Sequence, residues 1–188
     1  MKPILFIHGL GGDKKQYASI IKYLRAKGID GFYEFEYESK FGLSPIKSIA
    51  EDLAEFIKEK VKEKTINIIA ISQGGIIALA YLKFYKNINI EKLFTLCSPH
   101  KGSKMANIMK LPGLIDLQPN STLLKDLENF VEQEKINVYS VYTPFDLMVF
   151  PGWNAMSKNG RNKMILAPLH PLVYSWPSVK QFIYKNII

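Results

Sequence analysis

The sequence predicts an α/β fold, a three-layer sandwich in which a mostly parallel sheet of about six strands has helices on both faces. Short β-favouring apolar segments alternate along the chain with longer segments of helical periodicity. Such an alternation favours parallel strands that are covered on both faces. The 188 residues are enough for one domain, 1–188, with its own core, and no repeat or linker divides them.

Six segments are predicted to be strands. The runs 4–7 and 66–71 are almost wholly apolar, which is typical of strands buried on both faces of a sheet. The other four are shorter or less uniform but carry the same β-favouring residue types. In chain order, the predicted strands are 4–7, 32–37, 66–71, 93–96, 136–142 and 164–167.

Helical segments lie between these strands. Gly28 can end the first helix, and Ser44 and Pro45 are residue types favoured at an N-cap and at the first helical position. Apolar residues then recur at helical spacing up to residue 61. The predicted helices cover about 16–27, 46–61, 76–86 and 123–130, with a last helix from Pro177 onward and an irregular segment at 98–120.

The chain is basic, with 25 Lys+Arg against 17 Asp+Glu and a formal net charge of +8. Only Arg25 and Arg161 are arginines. Because proteins that read nucleic acid rely on arginine forks for bases and phosphates, no nucleic-acid partner is predicted. The positive charge allows peripheral contact with an anionic lipid surface. The sequence does not determine the oligomeric state.

The expected location is cytoplasmic. The apolar runs are strand-sized, so no stable membrane insertion is predicted. The first residues pass almost directly into a strand, without the pattern of a signal peptide. Cys97 is the single cysteine and cannot form an internal disulfide. With three histidines beside it, the chain has few ligands for a structural zinc, and no metal is predicted.

The segment 70–74, Ala-Ile-Ser-Gln-Gly, follows a buried strand and precedes a helix. It approximates Gly-x-Ser-x-Gly, the sharp turn that lifts a nucleophilic serine above the sheet. The turn requires very small residues two positions before and after the serine, and Ala70 and Gly74 meet that requirement. Ser72 is therefore the candidate nucleophile; the alternative is an ordinary glycine-rich connection between a strand and a helix.

A second glycine-rich segment, 8–12, follows the first strand. Glycines let the backbone pass close to a ligand and direct N–H groups into a cavity. Acyl transfer needs two such donors for the oxygen that becomes negative. A phosphate-binding loop is the alternative, but the spacing of Gly9, Gly11 and Gly12 does not match Gly-x-Gly-x-x-Gly, and no Gly-Lys-Ser/Thr follows.

A serine hydroxyl is a poor nucleophile unless a general base removes its proton, and the position of His170 in a loop suits that role. It follows the last predicted strand, at the sheet edge where α/β enzymes collect catalytic groups. Asp146 follows the preceding strand and is the candidate acid that orients the imidazole. The acidic residues between Asp116 and Glu134 lie in the irregular segment or on a helix and are interpreted as solvated charges. The order Ser72, Asp146, His170 is that of the α/β-hydrolases.

Over nearly its whole length the chain resembles the small bacterial lipases and esterases of the α/β-hydrolase superfamily. The resemblance depends on the order of five segments. These are the strand with its glycine loop 8–12, the serine turn 70–75, the Ser-Pro-His-Lys-Gly-Ser segment 98–103, the acid segment 146–151, and His170 before the last helix. The short chain resembles a minimal version that lacks the leading antiparallel strand pair.

The resemblance implies Ser72 as nucleophile, His170 as general base and Asp146 as its partner. It also implies an oxyanion hole formed by the backbone N–H groups of Leu10 and Gln73. The segment 98–103 resembles one that is structural in such lipases, which leaves His100 outside the triad. Two positions depart from the family pattern: Ala70 replaces the first glycine, and Leu169 precedes His170 where relatives often carry glycine.

These residues predict a serine hydrolase that cleaves short- to medium-chain acyl esters through an acyl-enzyme and needs no cofactor. An acyltransferase, a thioesterase or amidase on the same triad, and a non-catalytic lipid-binding protein of this fold are the alternatives. Without an inserted lid domain, we expect an open cleft. The candidate acyl pocket, for which ordinary packing beneath a loop is an equal interpretation, contains Met105, Met109, Leu111, Met148 and Val149.

Overall fold

A computed structural model describes residues 2–108 and 110–188, apart from the side chain of Phe41. One sheet of six strands runs through it, with the order β2-β1-β3-β4-β5-β6. Every neighbouring pair of strands is parallel, so the predicted α/β class and strand number are confirmed. The strands are β1 Ile4–Ile7, β2 Phe32–Phe35, β3 Thr65–Ile71, β4 Asn89–Leu96, β5 Val138–Tyr142 and β6 Arg161–Met164.

Helices cover both faces of the sheet, as the sequence predicts. The first and last helices pack on one face, and three helices from the middle of the chain pack on the other. The α-helices are α1 Ala18–Arg25, α2 Ile46–Lys60, α3 Gln73–Phe84, the short α4 Pro112–Ile115, α5 Thr122–Gln133 and α6 Pro177–Ile187. Single 3₁₀ turns lie at Lys14–Gln16, Lys40–Gly42, Lys104–Asn107, Gly152–Ala155 and His170–Ser175.

The core has two halves because successive side chains of a strand point to opposite faces. Leu5 and Ile7 pack in the cluster formed with α2, α3 and α5, whereas Ile4 and Phe6 pack in the cluster formed with α1 and α6. All four are fully buried, which explains why the strand is apolar without alternation. In the described part of the chain, none of the helices is long and apolar enough to cross a membrane.

The last strand begins earlier than predicted. The sequence suggests 164–167, but β6 runs from Arg161 to Met164 and exposes all four side chains at the sheet edge. Ile165 and Ala167 are buried in the loop that leaves β6, and the Ile165 N–H still donates to the Tyr142 carbonyl at 2.9 Å. The apolar residues therefore mark where the chain turns over the sheet, rather than the strand itself.

The start of α2 also differs from the prediction. Ser44 is not the N-cap; its hydroxyl donates to the Glu38 carbonyl at 3.4 Å. Instead, Asp116 Oδ2 accepts the Ile46 N–H at 2.9 Å from 70 positions away in the chain. Asp116 was expected to be a solvated charge, but partial burial raises the pKa of its carboxyl group, and the Ile46 N–H opposes that shift.

We expect Asp116→Ala to lower the free energy of unfolding by about 1 kcal/mol, because α2 then loses the side-chain oxygen that accepts the Ile46 N–H at its start. Urea denaturation measures the difference. Glu59→Ala is the matched control, since Glu59 is exposed near the other end of the same helix. Equal stabilities of the two variants would show that this long-range cap contributes nothing.

Candidate active site

Ser72 lies on the sharp turn between β3 and α3. Its backbone has φ 52° and ψ −122°, a conformation that a residue with a side chain rarely adopts, and its N–H donates to the Leu96 carbonyl at 2.8 Å. A Cβ added to Gly74 would lie 2.5 Å from the His8 carbonyl oxygen and 2.8 Å from that of Ile7. Glycine is thus required at 74 because the end of β1 passes against the turn.

The glycine loop after β1 lies beside this turn. The N–H groups of Gly9, Gly11 and Gly12 are used internally, donating to Gln16 Oε1 at 2.8 Å, Ser39 Oγ at 3.1 Å and the Gly9 carbonyl at 3.0 Å. In contrast, the N–H groups of Leu10 and Gln73 donate to no protein acceptor within the described residues. Two free donors therefore flank the nucleophile candidate.

His170 and Asp146 form a buried pair, although they come from different loops. Asp146 Oδ2 accepts a hydrogen bond from His170 Nδ1 at 2.7 Å, and the two residues are 1% and 3% exposed. The other oxygen, Oδ1, accepts the N–H groups of Met148 and Val149 at 2.9 and 2.8 Å. The carboxylate is thus fixed by three donors and holds the His170 proton on Nδ1.

Ser72 and His170 line the same cleft. Both residues are described, yet no hydrogen bond joins the serine hydroxyl to the imidazole. Such bonds are often long in an enzyme without substrate and shorten when the substrate binds. The structure therefore brings the three predicted triad residues to one place, but Ser72 and His170 are not hydrogen-bonded to each other.

The Ser-Pro-His-Lys-Gly-Ser segment supports the acid loop. Ser103 Oγ donates to the Met148 carbonyl at 2.7 Å and accepts the Phe150 N–H at 3.0 Å. The N–H of Lys101 donates to the Asn154 carbonyl at 3.0 Å, and the amide of Asn154 donates back to the Gly102 carbonyl at 2.8 Å. These bonds hold the loop that carries Asp146, which agrees with the structural role that the family resemblance implies.

His100 belongs to this supporting segment and does not line the cleft of Ser72. Its Nε2 lies 2.9 Å from Thr95 Oγ1 and 3.3 Å from Ser140 Oγ. Burial, and secondarily the Lys101 charge, lowers the pKa of His100 to about 4. The imidazole is therefore neutral in the folded protein near pH 7.

Because this partly buried histidine has a lowered pKa, we expect the protein to lose stability in mild acid. An unfolded-state histidine with a pKa near 6.5 binds its proton before the folded one does, so unfolding becomes more favourable as the pH falls from 6.5 towards 4. Between pH 7 and pH 5 we expect the wild type to lose about 2 kcal/mol more unfolding free energy than His100→Gln. Urea titrations of both proteins at each pH measure this difference, and parallel pH profiles would contradict it.

The cleft has a volume of about 440 Å³ and opens between the glycine loop and the 3₁₀ turn at His170–Ser175. Polar and apolar groups share its wall, so it suits an amphiphilic ligand. Its lining consists of Gly9, Leu10, Lys15, Gln16, Ser19, Ser72, Met148, His170, Pro171, Tyr174 and Ser175.

Most of the predicted acyl pocket lies elsewhere. Met148 lines the cleft, whereas Met105, Leu111 and Val149 do not. Val149 is buried, and its N–H is used by Asp146. Met109 lies outside the described residues. The prediction drew the pocket wall from the loop after β4 and from the segment after Asp146, and of its described residues Met148 alone lines this cleft. In the structure the start of α1 and the turn after His170 supply the wall.

One group of possible metal ligands includes the triad pair. Within the described residues, the ligand atoms of Cys97, Asp146 and His170 lie within 4.8 Å of one another. Burial above all, with the neighbouring Asp146 carboxylate, raises the pKa of the Cys97 thiol, which keeps it protonated. Both Asp146 oxygens already accept hydrogen bonds. This donor set does not fit a metal ion, since a thiol must lose its proton to bind one.

The chain matches a known protein family. A model described as palmitoyl protein thioesterase matches residues 3–149, a range that includes Ser72 and Asp146. A curated relative, lysosomal thioesterase PPT2-B from Xenopus laevis, is 24% identical over 106 residues, which cover 54% of this chain. That alignment covers 37% of the relative, so this chain spans well under half of the relative's length.

Solved structures share the fold over the whole chain. The mature lipase BlEst2 from Bacillus licheniformis superposes with a TM-score of 0.77 at 16% identity, covering 99% of this chain and 91% of the lipase. A monoacylglycerol lipase from Paleococcus ferrophilus gives a TM-score of 0.71 at 13% identity, covering 99% and 93%. The fold that the resemblance to small lipases and esterases implies is thereby confirmed.

Proposed function

This chain belongs to the palmitoyl protein thioesterase family, and we propose that it hydrolyses carboxylic esters or thioesters through an acyl-enzyme on Ser72. One observation supports the proposal: His170, paired with the buried Asp146, lines the same cleft as Ser72, and that serine lies on a strained turn. A binding protein of the same fold would have no need of this combination.

In the proposed reaction, His170 Nε2 takes the Ser72 proton as the serine oxygen bonds to the substrate carbonyl carbon. The N–H groups of Leu10 and Gln73 donate to the negative oxygen, each contributing about 3 kcal/mol to the transition state. The carbon–oxygen or carbon–sulfur bond of the leaving group then breaks, and His170 returns the proton to that group. Water repeats the sequence on the acyl-enzyme, releasing the acid and free Ser72.

We propose short- to medium-chain acyl oxyesters as the first substrate class, since the cleft is small and open. Thioesters are the second candidate, favoured by the family match and by the thioesterase named among the relatives. Hydrolysis needs neither a metal nor an organic cofactor on this mechanism. The expectations of a cytoplasmic location, a single domain and no nucleic-acid partner stay predictions.

Labelling with a fluorophosphonate probe tests the nucleophile. We expect one label per chain on the wild type and on Ser48→Ala, whose serine is exposed on α2, and none on Ser72→Ala. Peptide mass spectrometry locates the label. An unlabelled wild type, or label on another serine, would overturn the proposal and favour a non-catalytic binding protein.

Paired oxyester and thioester series of increasing acyl length then separate the substrate classes. We expect kcat/KM to be highest at short or medium chain length, without an oil interface. A strict requirement for emulsified long-chain substrate would contradict the proposed acyl specificity. Faster product release on adding an alcohol or thiol would identify an acyltransferase instead.

A further inference from the structure

We propose that an apolar rim beside the cleft docks this protein on the surface of an anionic lipid aggregate. The docking would bring lipid esters to the cleft, so this inference rests on the hydrolase function proposed above. The rim is formed by residues of the two loops that supply Asp146 and His170. We define it as Leu147, Met148, Phe150, Trp153, Leu169 and Leu172.

The rim is unusually apolar for an exposed surface. Its six side chains expose between 39% and 65% of their area. Met148 belongs to both the rim and the cleft wall, and Pro171 of the cleft lies between Leu169 and Leu172 in the chain. Exposed apolar groups gathered at one edge of a fold mark an interaction surface. A lipid seated there would have its acyl ester next to Ser72.

Charges beside the rim are positive. The N–H of Lys104 donates to the Phe150 carbonyl, and the N–H of Lys101 donates to the carbonyl of Asn154, next to Trp153. Both lysines are exposed, and neither forms an ion pair among the described residues. Asp146 lies in the acid loop, and Asp116 lies in the segment after β4 that also carries the two lysines. Both carboxylates take part in hydrogen bonds inside the protein.

The positive charges beside the rim distinguish between three possible partners: a second copy of the chain, a neutral lipid surface and an anionic lipid surface. A second copy of the chain would bring the same positive charges to the interface and no free carboxylate from these loops to pair with them. A neutral lipid surface would leave them without counter-charges. An anionic lipid surface accepts both the apolar side chains and the lysines.

The test uses Ser72→Ala protein, so that binding does not depend on hydrolysis. Co-sedimentation compares vesicles of phosphatidylcholine mixed with phosphatidylglycerol against vesicles of phosphatidylcholine alone. We expect partitioning to be about tenfold higher on the anionic vesicles and to fall with added salt. Lys101→Glu/Lys104→Glu and Leu147→Ser/Trp153→Ser should each lower it by about tenfold.

Two controls lie far from the rim: Lys62→Glu, before β3, and Phe84→Ser, at the end of α3. They should bind vesicles like the parent protein. Equal binding to neutral vesicles, or equal losses in the controls, would overturn the docking surface, as would light scattering that shows a dimer lost in the rim variants. Because the lysines are exposed, their variant keeps the test valid if the apolar variant fails to fold. Wild-type hydrolysis of a soluble ester is measured separately, so either proposal can fail alone.

A different observation concerns Tyr37, which follows β2. We infer that Tyr37 is a positioning residue for the two N–H donors, because it joins the loops on which they lie. Its hydroxyl is 3.1 Å from the His8 carbonyl oxygen and 3.2 Å from Gln73 Oε1. His8 leads into the loop of Leu10, and Gln73 supplies the second donor itself.

The histidine beside Tyr37 is held by the same residue. The two rings stack with centroids 4.2 Å apart and 3° between their planes. His8 Nε2 accepts the Tyr37 N–H at 3.2 Å, which leaves the proton on Nδ1, 2.9 Å from the Gly9 carbonyl oxygen. His8 thus lies between Tyr37 and the glycine loop and contacts both, and burial raises the pKa of Tyr37 so that the phenol keeps its proton.

Tyr37→Phe removes the hydroxyl and keeps the stacked ring. We expect kcat on a soluble ester to fall about tenfold with KM within twofold, since the donors act in the transition state. Inhibition by a boronic acid, which forms a tetrahedral adduct on the serine, should weaken in parallel. Tyr33→Phe is the control, because its hydroxyl contacts Glu63 on the surface at 2.8 Å.

A merely structural role would lower the unfolding temperature and leave kcat and boronic acid inhibition at wild-type values. That result would overturn the inference, as would equal losses of kcat in the Tyr33 control. The inference rests on the proposed hydrolase. If the wild type hydrolyses no ester, it is the proposed function that fails, whereas an active wild type matched by Tyr37→Phe removes the positioning role alone.

Discussion

Asp146→Asn is expected to lower kcat by about 10³- to 10⁴-fold while KM changes little. The Met148 and Val149 N–H groups require an oxygen in the place of Oδ1. The new amide must therefore turn its NH₂ group towards His170 Nδ1. That donor can be accepted only if the imidazole proton moves to Nε2, where it blocks removal of the serine proton.

Steady-state kinetics on a soluble ester measure this effect. Asp126→Asn is the matched control, because Asp126 is an α5 residue whose partner is Lys83, and its kcat should equal that of the wild type. The asparagine at 146 is isosteric, so the unfolding transition reports whether the fold is kept. A kcat for Asp146→Asn within tenfold of the wild type would exclude this carboxylate as the partner of the base.

Gly74→Ala is expected to lower both stability and activity. Its new Cβ would lie 2.5 and 2.8 Å from the carbonyl oxygens of His8 and Ile7, which are backbone atoms of β1 and its loop. Either the serine turn or the glycine loop must move. We expect a loss of about 3 kcal/mol in the free energy of unfolding and, because the N–H donors move apart, a fall of about 10²-fold in kcat/KM.

Urea denaturation and kinetics of the same preparation measure both quantities. Gly28→Ala is the comparison, since nothing lies within 4 Å of its added Cβ although φ is +77°. The backbone strain of Gly28→Ala should lower the free energy of unfolding by about 1 kcal/mol and leave kcat/KM unchanged. If the two variants behave alike, the close approach of β1 to the serine turn does not constrain the site.

Local patterns were enough to predict the sheet. β1 and β3 are apolar throughout because both faces are covered, and the alternation with helices predicts the parallel arrangement. The serine turn was identifiable because its constraint is steric and falls on adjacent residues. The candidates Asp146 and His170 were found because parallel topology brings the ends of β5 and β6 to one edge, and the structure joins them at 2.7 Å.

Contacts between distant segments could not be predicted in this way. The oxygen of Asp116 that caps α2, and the hydroxyl of Tyr37 between two loops, have no signal in their own neighbourhoods. The residues that line the cleft also have no signal in their own neighbourhoods. Gln16 and Tyr174 reach the cleft only because α1 and the last loop pack together, and spacing along the chain does not encode that packing.

The order of the elements along the chain determines which part of the proposed site is synthesised first. Ser72 and the glycine loop leave the ribosome before the imidazole at position 170 and the helix α6, which packs against α1. A nascent chain therefore carries Ser72 before the proposed base, His170, has been made. On the proposed mechanism, hydrolysis therefore requires that the segment with His170 has been made and has docked beside Ser72.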